Sequence, residues 1–372
     1  MKRIYVVAGE MSGDAHAAGL LRELKGIYPE LEIHGVGGPE MKDLSGNSVK
    51  DWVEDAAVIG VVEVLKRYGW FKERFTEMLE EIRELKPDAL LLVDYPGFNL
   101  RFSAAVRREL PETKQVYYVS PQVWAWNKRR IPKMVELLDE MLCLFPFEKP
   151  IFENAGLKTT HVGHPLVDEL AGERIEGERD AKLIGLFPGS REREIAKLFP
   201  MMIETAVALR LWRDDLKFSV PAATPKLAET MRKMIKEAGA GEWITLTHGG
   251  SHELMQRAAC GVVASGTATL EAATYGLPYC LVYRMAWVTF CLGKMLVKIK
   301  YIGLVNILAG EKVIEEFIQA DAAAPEVSAW VRDILTNDAK REALTGRLRE
   351  ISARLGEPGT HRRAAERVAA WL

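Results

Sequence analysis

The stretch Ala89-Leu90-Leu91-Leu92-Val93-Asp94 is the clearest indication of the fold in this sequence. Its five apolar residues do not alternate with polar ones, and Val116-Tyr117-Tyr118-Val119 follows the same pattern. Such uninterrupted runs are typical of strands that are covered on both faces, as in parallel sheets. Short runs of this kind alternate with longer helical stretches along the chain, which predicts repeated βαβ units.

Two series of these units are predicted, joined by a charged linker between Pro165 and Lys182. The strands of the first series are predicted at Ile4–Ala8, Ile33–Val36, Ala89–Val93, Val116–Val119, Met141–Phe145 and near Thr160–Val162. Those of the second series are predicted at Leu183–Phe187, Lys217–Val220, Ile244–Leu246, Gly261–Ala264 and Tyr279–Tyr283. We therefore expect an α/β protein of two doubly wound, Rossmann-like domains facing a cleft, since ligands of such sheets lie beyond the carboxyl ends of the strands. The predicted domains are 1–167 and 168–345, followed by a closing helical segment, 346–372.

Composition excludes several classes of protein. The 372 residues include 50 Lys and Arg against 52 Asp and Glu, so no global positive field is left to hold nucleic acid. The four cysteines form no CxxC pair, which argues against structural zinc and a disulfide framework and favours a reducing cytoplasm. No apolar run reaches the roughly 18–20 residues of a membrane span, and the run after Met1-Lys2-Arg3 is too short for a signal peptide. No metal set and no cofactor motif are predicted.

A strand, a turn and a helix are predicted to meet at Pro188-Gly189-Ser190-Arg191. Free backbone N–H groups and the helix dipole at such a junction form an anion site, and the Arg191 guanidinium adds a planar fork for a phosphate. Charge on a leaving diphosphate would be met by Arg191 and these backbone dipoles. The alternative is a tight turn that carries a surface arginine.

A similar junction follows at Ser265-Gly266-Thr267, where small residues allow a ligand to approach the backbone closely. Glu271 lies one helical turn beyond Thr267, and its carboxylate is suited to accept hydrogen bonds from the two hydroxyls of a ribose. The alternative is a helix cap followed by a solvated glutamate.

In the first domain, the first strand ends in Gly9-Glu10-Met11-Ser12-Gly13-Asp14, a pattern that again suggests a polar ligand close to the backbone. The third strand ends in Asp94, with Asn99 five residues further on. Glu10, Ser12, Gly13, Asp14 and Asn99 are the candidate acceptor-binding residues. A carboxylate in the position of Asp94 is either a helix N-cap or a general base.

Two apolar stretches with interspersed basic residues suggest contact with an anionic membrane surface. The first includes Val61, Val62, Leu65, Trp70 and Phe71, and the second includes Trp287 and Phe290. The alternative for both stretches is a place in the protein core.

Taken together, the chain resembles the lipid-A-disaccharide synthase family of GT-B glycosyltransferases. The resemblance rests on motifs along nearly the whole sequence, among them Ala8–Asp14, Asp94–Asn99, Ser120–Trp126, Pro188–Arg191 and Asn306–Gly310. It departs at Gly97, where the family often has an acid, so one possible second carboxylate near Asp94 is removed.

The resemblance implies an inverting transfer of 2,3-diacylglucosamine from UDP to 2,3-diacylglucosamine 1-phosphate, which forms a β(1→6) link and releases UDP. It implies that Asp94 is the base and that Arg191, Glu271 and Asn306 bind the nucleotide. It further implies a cytoplasmic enzyme at the inner-membrane surface, with a final helix that packs on its own first domain or on a homodimer partner. The competing interpretations are another GT-B enzyme that uses a UDP-sugar, such as an epimerase, and a nucleotide- or lipid-binding protein without catalysis.

Overall fold

The computed structural model of the protein describes residues 1–56, 67–285 and 300–372. The candidate membrane residues Val61, Val62, Leu65, Trp287 and Phe290 therefore lie outside the described residues. The chain divides into two compact units, Met1–Asp168 with Leu355–Leu372, and Glu169–Arg354.

The first unit contains a parallel sheet of seven strands in the order β3-β2-β1-β4-β5-β6-β7. Its strands are β1 (Arg3–Ala8), β2 (Glu32–Gly37), β3 (Val49–Asp51), β4 (Ala89–Val93), β5 (Lys114–Tyr118), β6 (Glu140–Cys143) and β7 (Thr159–His161). The central strands β1 and β4 pair in register from Ile4 with Ala89 to Ala8 with Val93, and every residue of β4 is buried. This is the double coverage that the apolar run Ala89–Val93 predicted.

Helices connect these strands, as parallel pairing requires. They are α1 (Met11–Ile27), α2 (Pro39–Leu44), α3 (Val53–Ala56), α4 (Tyr68–Leu85), α5 (Pro96–Glu109), α6 (Val123–Trp126), α7 (Ile131–Leu137), α8 (Glu148–Glu153) and α9 (Leu166–Leu170).

The second unit contains a parallel sheet of six strands in the order β10-β9-β8-β11-β12-β13. Its strands are β8 (Asp180–Phe187), β9 (Lys217–Ala222), β10 (Ile244–His248), β11 (Ala258–Ala264), β12 (Tyr279–Tyr283) and β13 (Glu316–Ile318). Its helices are α10 (Glu192–Trp212), α11 (Pro225–Glu237), α12 (Ser251–Arg257), α13 (Ala268–Thr274), α14 (Leu304–Ala309), α15 (Ala324–Thr336) and α16 (Asp338–Ser352). The expected class, two α/β units with doubly wound parallel sheets, is confirmed.

The last helix, α17 (Thr360–Ala369), belongs to the first unit and packs on α1. The Asp168 carboxylate accepts hydrogen bonds from the backbone N–H groups of Gly359 and Thr360 and so caps this helix. The chain returns to the first unit at Leu355, later than the predicted boundary at residue 346. The reason is that α16 still packs on α13 and α14, with Leu348 and Ile351 fully buried.

Across the described ranges, no helix is both long enough and apolar enough to cross a membrane.

Candidate functional site

A cavity of about 360 Å³ opens at the carboxyl ends of β8, β9 and β11 in the second unit. Seven of the predicted nucleotide-binding residues line it together: Gly189, Ser190, Arg191, Ser265, Gly266, Thr267 and Glu271. Pro221, Ala223, Gly249 and Ser251, which follow or end strands β9 and β10, are among the other residues that line it. These four residues are not among the sequence predictions, because neither of their loops carries a glycine-serine-arginine pattern.

The loop between β8 and α10 has the geometry of an anion site. Gly189 has φ +101°, and Arg191 is the N-cap of α10. The carboxylate of Glu194 accepts hydrogen bonds from the backbone N–H groups of Ser190 (3.2 Å) and Arg191 (3.4 Å), and its other oxygen lies 3.3 Å from the Arg191 guanidinium. Glu194 thus engages the donors that a phosphate would use, and the Arg191 side chain remains 74% exposed.

Glu271 lines the same cavity and is tied to His252. Nε2 of His252 lies 3.4 Å from a carboxylate oxygen of Glu271, and Nδ1 of the same ring contacts the Glu173 carboxylate. Burial raises the pKa of Glu271, and His252 opposes that rise. His252 and Glu173 are not among the predicted site residues. The position of His252 at the start of α12, which follows β10, indicates that it lies at the carboxyl edge of the sheet.

Asn306, the remaining predicted nucleotide ligand, does not line this cavity. It is fully buried, and its amide nitrogen donates to Ile314 O (3.0 Å) and to the Glu316 carboxylate (2.8 Å). Its amide oxygen accepts from the N–H groups of Val313 (2.7 Å) and Ile314 (2.9 Å). These contacts hold the connection between α14 and β13, so they provide no support for a direct contact with the nucleotide.

In the first unit, Asp94 follows the central strand β4 in a strained turn. Asp94 and Tyr95 have φ of +45° and +49°, a conformation that non-glycine residues rarely adopt. The turn is held by the Asp94 N–H, which donates to Tyr118 O (3.0 Å), and by the Asp94 carbonyl, which accepts from the Tyr117 hydroxyl and from Asn99 Nδ2 (2.7 Å). Backbone strain of this kind costs about 1–3 kcal/mol per residue and clusters at functional sites.

The Asp94 carboxyl group lies in an environment that disfavours its charge. Burial, followed by the nearby charge of Glu10, raises the pKa of Asp94 to about 6. The N-cap of α5 is Tyr95, so the helix-cap alternative does not describe Asp94. The two carboxyl groups of Glu10 and Asp94 thus interact at the carboxyl edge of the first sheet.

The other candidate acceptor residues fall into two groups. Glu10 and Ser12 are exposed at the start of α1, whereas Gly13, Asp14 and Asn99 are buried. The Asp14 carboxylate accepts from the N–H groups of Gly38 (2.7 Å), Glu40 (3.0 Å) and Met41 (3.2 Å) and so caps α2.

Asn99 also donates to the Val93 carbonyl (3.2 Å) and fixes the end of β4. Its contacts and those of Asp14 support the backbone around the site and do not point to a direct acceptor contact.

Trp70 and Phe71 do not form the exposed apolar surface that the membrane hypothesis requires. Both are half-buried and pack against the core of the first unit. The ring of Trp70 stacks on Trp52 with centroids 5.8 Å apart, and Phe71 contacts Phe98 at 6.3 Å. The alternative of a place in the core therefore describes these two residues better.

Solved structures with the same fold cover almost all of the chain. A putative UDP-N-acetylglucosamine 2-epimerase from Listeria monocytogenes matches 99% of this chain and 94% of its own, with a TM-score of 0.62 at 13% identity. A UGT transferase from Siraitia grosvenorii in complex with UDP matches 100% of this chain and 99% of its own, with a TM-score of 0.60 at 11% identity. At such low identity these structures establish the fold, which is that of the GT-B class of glycosyltransferases and epimerases.

Relatives of higher identity define the family within that class. The family model described as lipid-A-disaccharide synthetase matches residues 4–368. A lipid-A-disaccharide synthase of Geobacter sulfurreducens is 38% identical over 371 residues, which cover 98% of this chain and 95% of the relative. Lipid-A-disaccharide synthase 1 of Legionella pneumophila is 36% identical over 361 residues, which cover 95% and 93%. The chain belongs to the lipid-A-disaccharide synthase family, and it is a UDP-sugar glycosyltransferase that forms the lipid A disaccharide.

Proposed function

We propose that this enzyme transfers 2,3-diacylglucosamine from its UDP derivative to 2,3-diacylglucosamine 1-phosphate with inversion at the anomeric carbon. The products are the β(1→6) disaccharide 1-phosphate and UDP. The observation that carries this proposal is the environment of Asp94 at the carboxyl end of the central strand. The backbone of Asp94 is strained, its carboxyl group is partly buried, and the pKa of that group is raised to about 6.

Asp94 acts as the general base on the acceptor. Inversion requires the acceptor hydroxyl to attack from the face opposite the UDP leaving group. A carboxylate is too weak a base to remove the proton of an alcohol beforehand, but it can take that proton as the C–O bond forms. A raised pKa makes Asp94 a stronger base than an ordinary aspartate and leaves it ionised at neutral pH.

The cavity of the second unit holds the UDP group in this proposal. The N–H groups of Ser190 and Arg191 and the Arg191 guanidinium bind the diphosphate in place of Glu194 and stabilise the charge that develops on it. Glu271 accepts hydrogen bonds from the ribose hydroxyls, and Gly266 lets the ligand approach the backbone closely.

The substrates place the reaction at a membrane surface. Each buried CH₂ of an acyl chain contributes about 0.8 kcal/mol to membrane binding, so acceptors with two such chains remain in the bilayer. We therefore place the enzyme at the cytoplasmic face of the inner membrane as a peripheral protein.

Synthetic donor and acceptor test this function directly. We expect UDP release that depends on the acylated acceptor, together with a product of two joined diacylglucosamines identified by mass spectrometry. An epimerase would instead convert UDP-N-acetylglucosamine without any acceptor. UDP release that is independent of the acceptor, or the absence of the joined product, would contradict the proposal.

A further inference from the structure

A second cavity, of about 570 Å³, lies at the opposite edge of the second sheet from the proposed nucleotide site. Arg179 precedes β8, Ala259 lies at the start of β11 and Pro278 precedes β12, so the cavity opens at the amino ends of these strands. The proposed function makes no use of this edge of the sheet.

Four arginines line this second cavity: Arg174, Arg179, Arg341 and Arg349. Two glutamates, Glu178 and Glu342, line it as well. Four positive charges against two negative ones leave the lining with two net positive charges.

Arg179 and Arg349 converge on one turn, Tyr275–Gly276. The Arg179 guanidinium donates to the carbonyl groups of Met255 (2.6 Å), Ala258 (2.8 Å) and Tyr275 (2.7 Å), which fixes its position. The Arg349 side chain lies across the neighbouring Gly276, where its Nε atom is 2.9 Å from the place a Cβ atom would occupy. Burial and the charge of Arg349 lower the pKa of Arg179 to about 10, in agreement with this proximity.

Three of the four arginines that line the cavity form no ion pair among the described residues. Within the described ranges, no carboxylate lies within 4.0 Å of the guanidinium groups of Arg174, Arg179 or Arg349. Arg341 is paired with Asp338 at 2.6 Å. Guanidinium groups that line one cavity in excess over carboxylates, and that are not ion-paired, favour the binding of an anion, and Arg is the residue best suited to bidentate phosphate contacts.

We infer that this cavity binds an anion that carries phosphate groups, either a small soluble polyphosphate or the headgroup of an anionic phospholipid. Arg179 supplies a fixed positive charge at its base. Arg174 and Arg349 are exposed at the rim of the cavity, and they contact the ligand from there. The attraction weakens as salt rises, because both rim arginines are solvent-exposed.

Pyrophosphate is the probe for the soluble form of this ligand. Calorimetric titrations are made in an Arg191→Ala background, so that the first cavity contributes little to the signal. We expect pyrophosphate to bind, and the further changes Arg174→Ala and Arg349→Ala to weaken it at least about tenfold, because each removes a charge-assisted contact. Arg232→Ala with Lys236→Ala, which removes two exposed cations from α11 in the same unit, is the matched control and should leave the affinity unchanged.

Vesicles of phosphatidylcholine with and without phosphatidylglycerol separate the two sources of the phosphate group. Binding to the phosphatidylglycerol vesicles that depends on Arg174 and Arg349, without binding of pyrophosphate, identifies the lipid headgroup. Binding of pyrophosphate with the same dependence identifies a soluble anion. The inference is overturned if neither probe binds, or if the control pair weakens binding as much as the cavity pair, with all variants shown by thermal melting to be folded.

Discussion

Asp94 shows how one side chain acquires a pKa suited to base catalysis. Asp94 lies at the carboxyl end of the buried strand β4, where burial disfavours the ionised form of its carboxyl group. Glu10, at the end of β1, adds a like charge that raises the pKa further, whereas a hydrogen bond from the Tyr95 backbone lowers it. The resulting value of about 6 lies close to neutral pH, where a base combines availability with strength.

The pH dependence of the reaction tests this account of Asp94. Because the base works in its ionised form, we expect kcat/KM to fall as the pH drops below about 6. Glu10→Gln removes the like charge, so its acid limb should move to lower pH by up to about one unit. Rates measured from pH 4.5 to 8 check both expectations, and an acid limb that does not respond to Glu10→Gln would show that another group titrates.

His252 is expected to position Glu271 for the ribose. His252→Gln removes the imidazole ring, whose two nitrogens contact Glu173 and Glu271, so Glu271 loses the contact that fixes its orientation. We expect UDP affinity to fall by about tenfold, the value of one hydrogen bond to a charged group. Isothermal titration with UDP measures the change, and His34→Gln in the first unit is the control. Unchanged affinity in His252→Gln would mean that Glu271 does not depend on this contact.

At the scale of residues, the sequence predicted some of the candidate site and missed the rest for physical reasons. Gly189, Ser190 and Arg191 follow one another at a strand end, so a local pattern reveals them. His252 and Glu173 are 79 residues apart and meet only in the fold. Asp14 is a polar residue beside glycine, and nothing in its local pattern shows that its carboxylate binds backbone N–H groups of α2.

At the scale of elements, the junction of β8 and α10 combines three anion-binding features. These are backbone N–H groups at a helix start, the helix dipole and an exposed guanidinium. The Glu194 carboxylate accepts hydrogen bonds from the N–H groups of Ser190 and Arg191, so the proposed nucleotide binding requires the diphosphate to compete with Glu194 for these donors.

Arg191→Ala tests this junction. The change removes the guanidinium and leaves the backbone donors in place, so we expect UDP to bind at least about tenfold more weakly and turnover to fall as well. The control is Arg193→Ala, which removes one positive charge from an exposed position on the same helix. This variant should bind UDP as the unmodified enzyme does. Undiminished UDP affinity in Arg191→Ala would exclude its role in nucleotide binding.

Strands were predictable where they are buried on both faces and less so at the sheet edges. All five residues of β4 and all seven of β11 are buried, and their apolar runs show it. The edge strands β3 and β13 have three residues each and are partly exposed, so they carry no comparable run and were not predicted. The strand predicted to end at Val119 ends at Tyr118, because Val119 turns to φ +65°.

At the scale of the whole molecule, the chain leaves the first unit after Asp168 and returns to it at Leu355. The returning segment is fixed by the cap that Asp168 provides and by the packing of α17 on α1. The sequence indicated a closing helix but not where it begins, since α16 and α17 are both rich in charged residues and only a short turn separates them.

This connectivity predicts the behaviour of a cleaved chain. A specific protease site inserted after Gly172, in an exposed turn, would separate the first 172 residues from the remainder. We expect both fragments to elute together in size-exclusion chromatography, because α17 of the second fragment stays packed on α1 of the first. Separate elution under native conditions would contradict this packing.

The central claim is that Asp94 is the base for glycosyl transfer, and Asp94→Asn tests it most directly because the side chain keeps its size and loses its basicity. We expect turnover with the synthetic donor and acceptor to fall by roughly 10²–10⁴, while UDP binds as in the unmodified enzyme. Asp43→Asn, at an exposed position of the same unit, should retain full turnover. Turnover by Asp94→Asn equal to that of the unmodified enzyme would contradict the account.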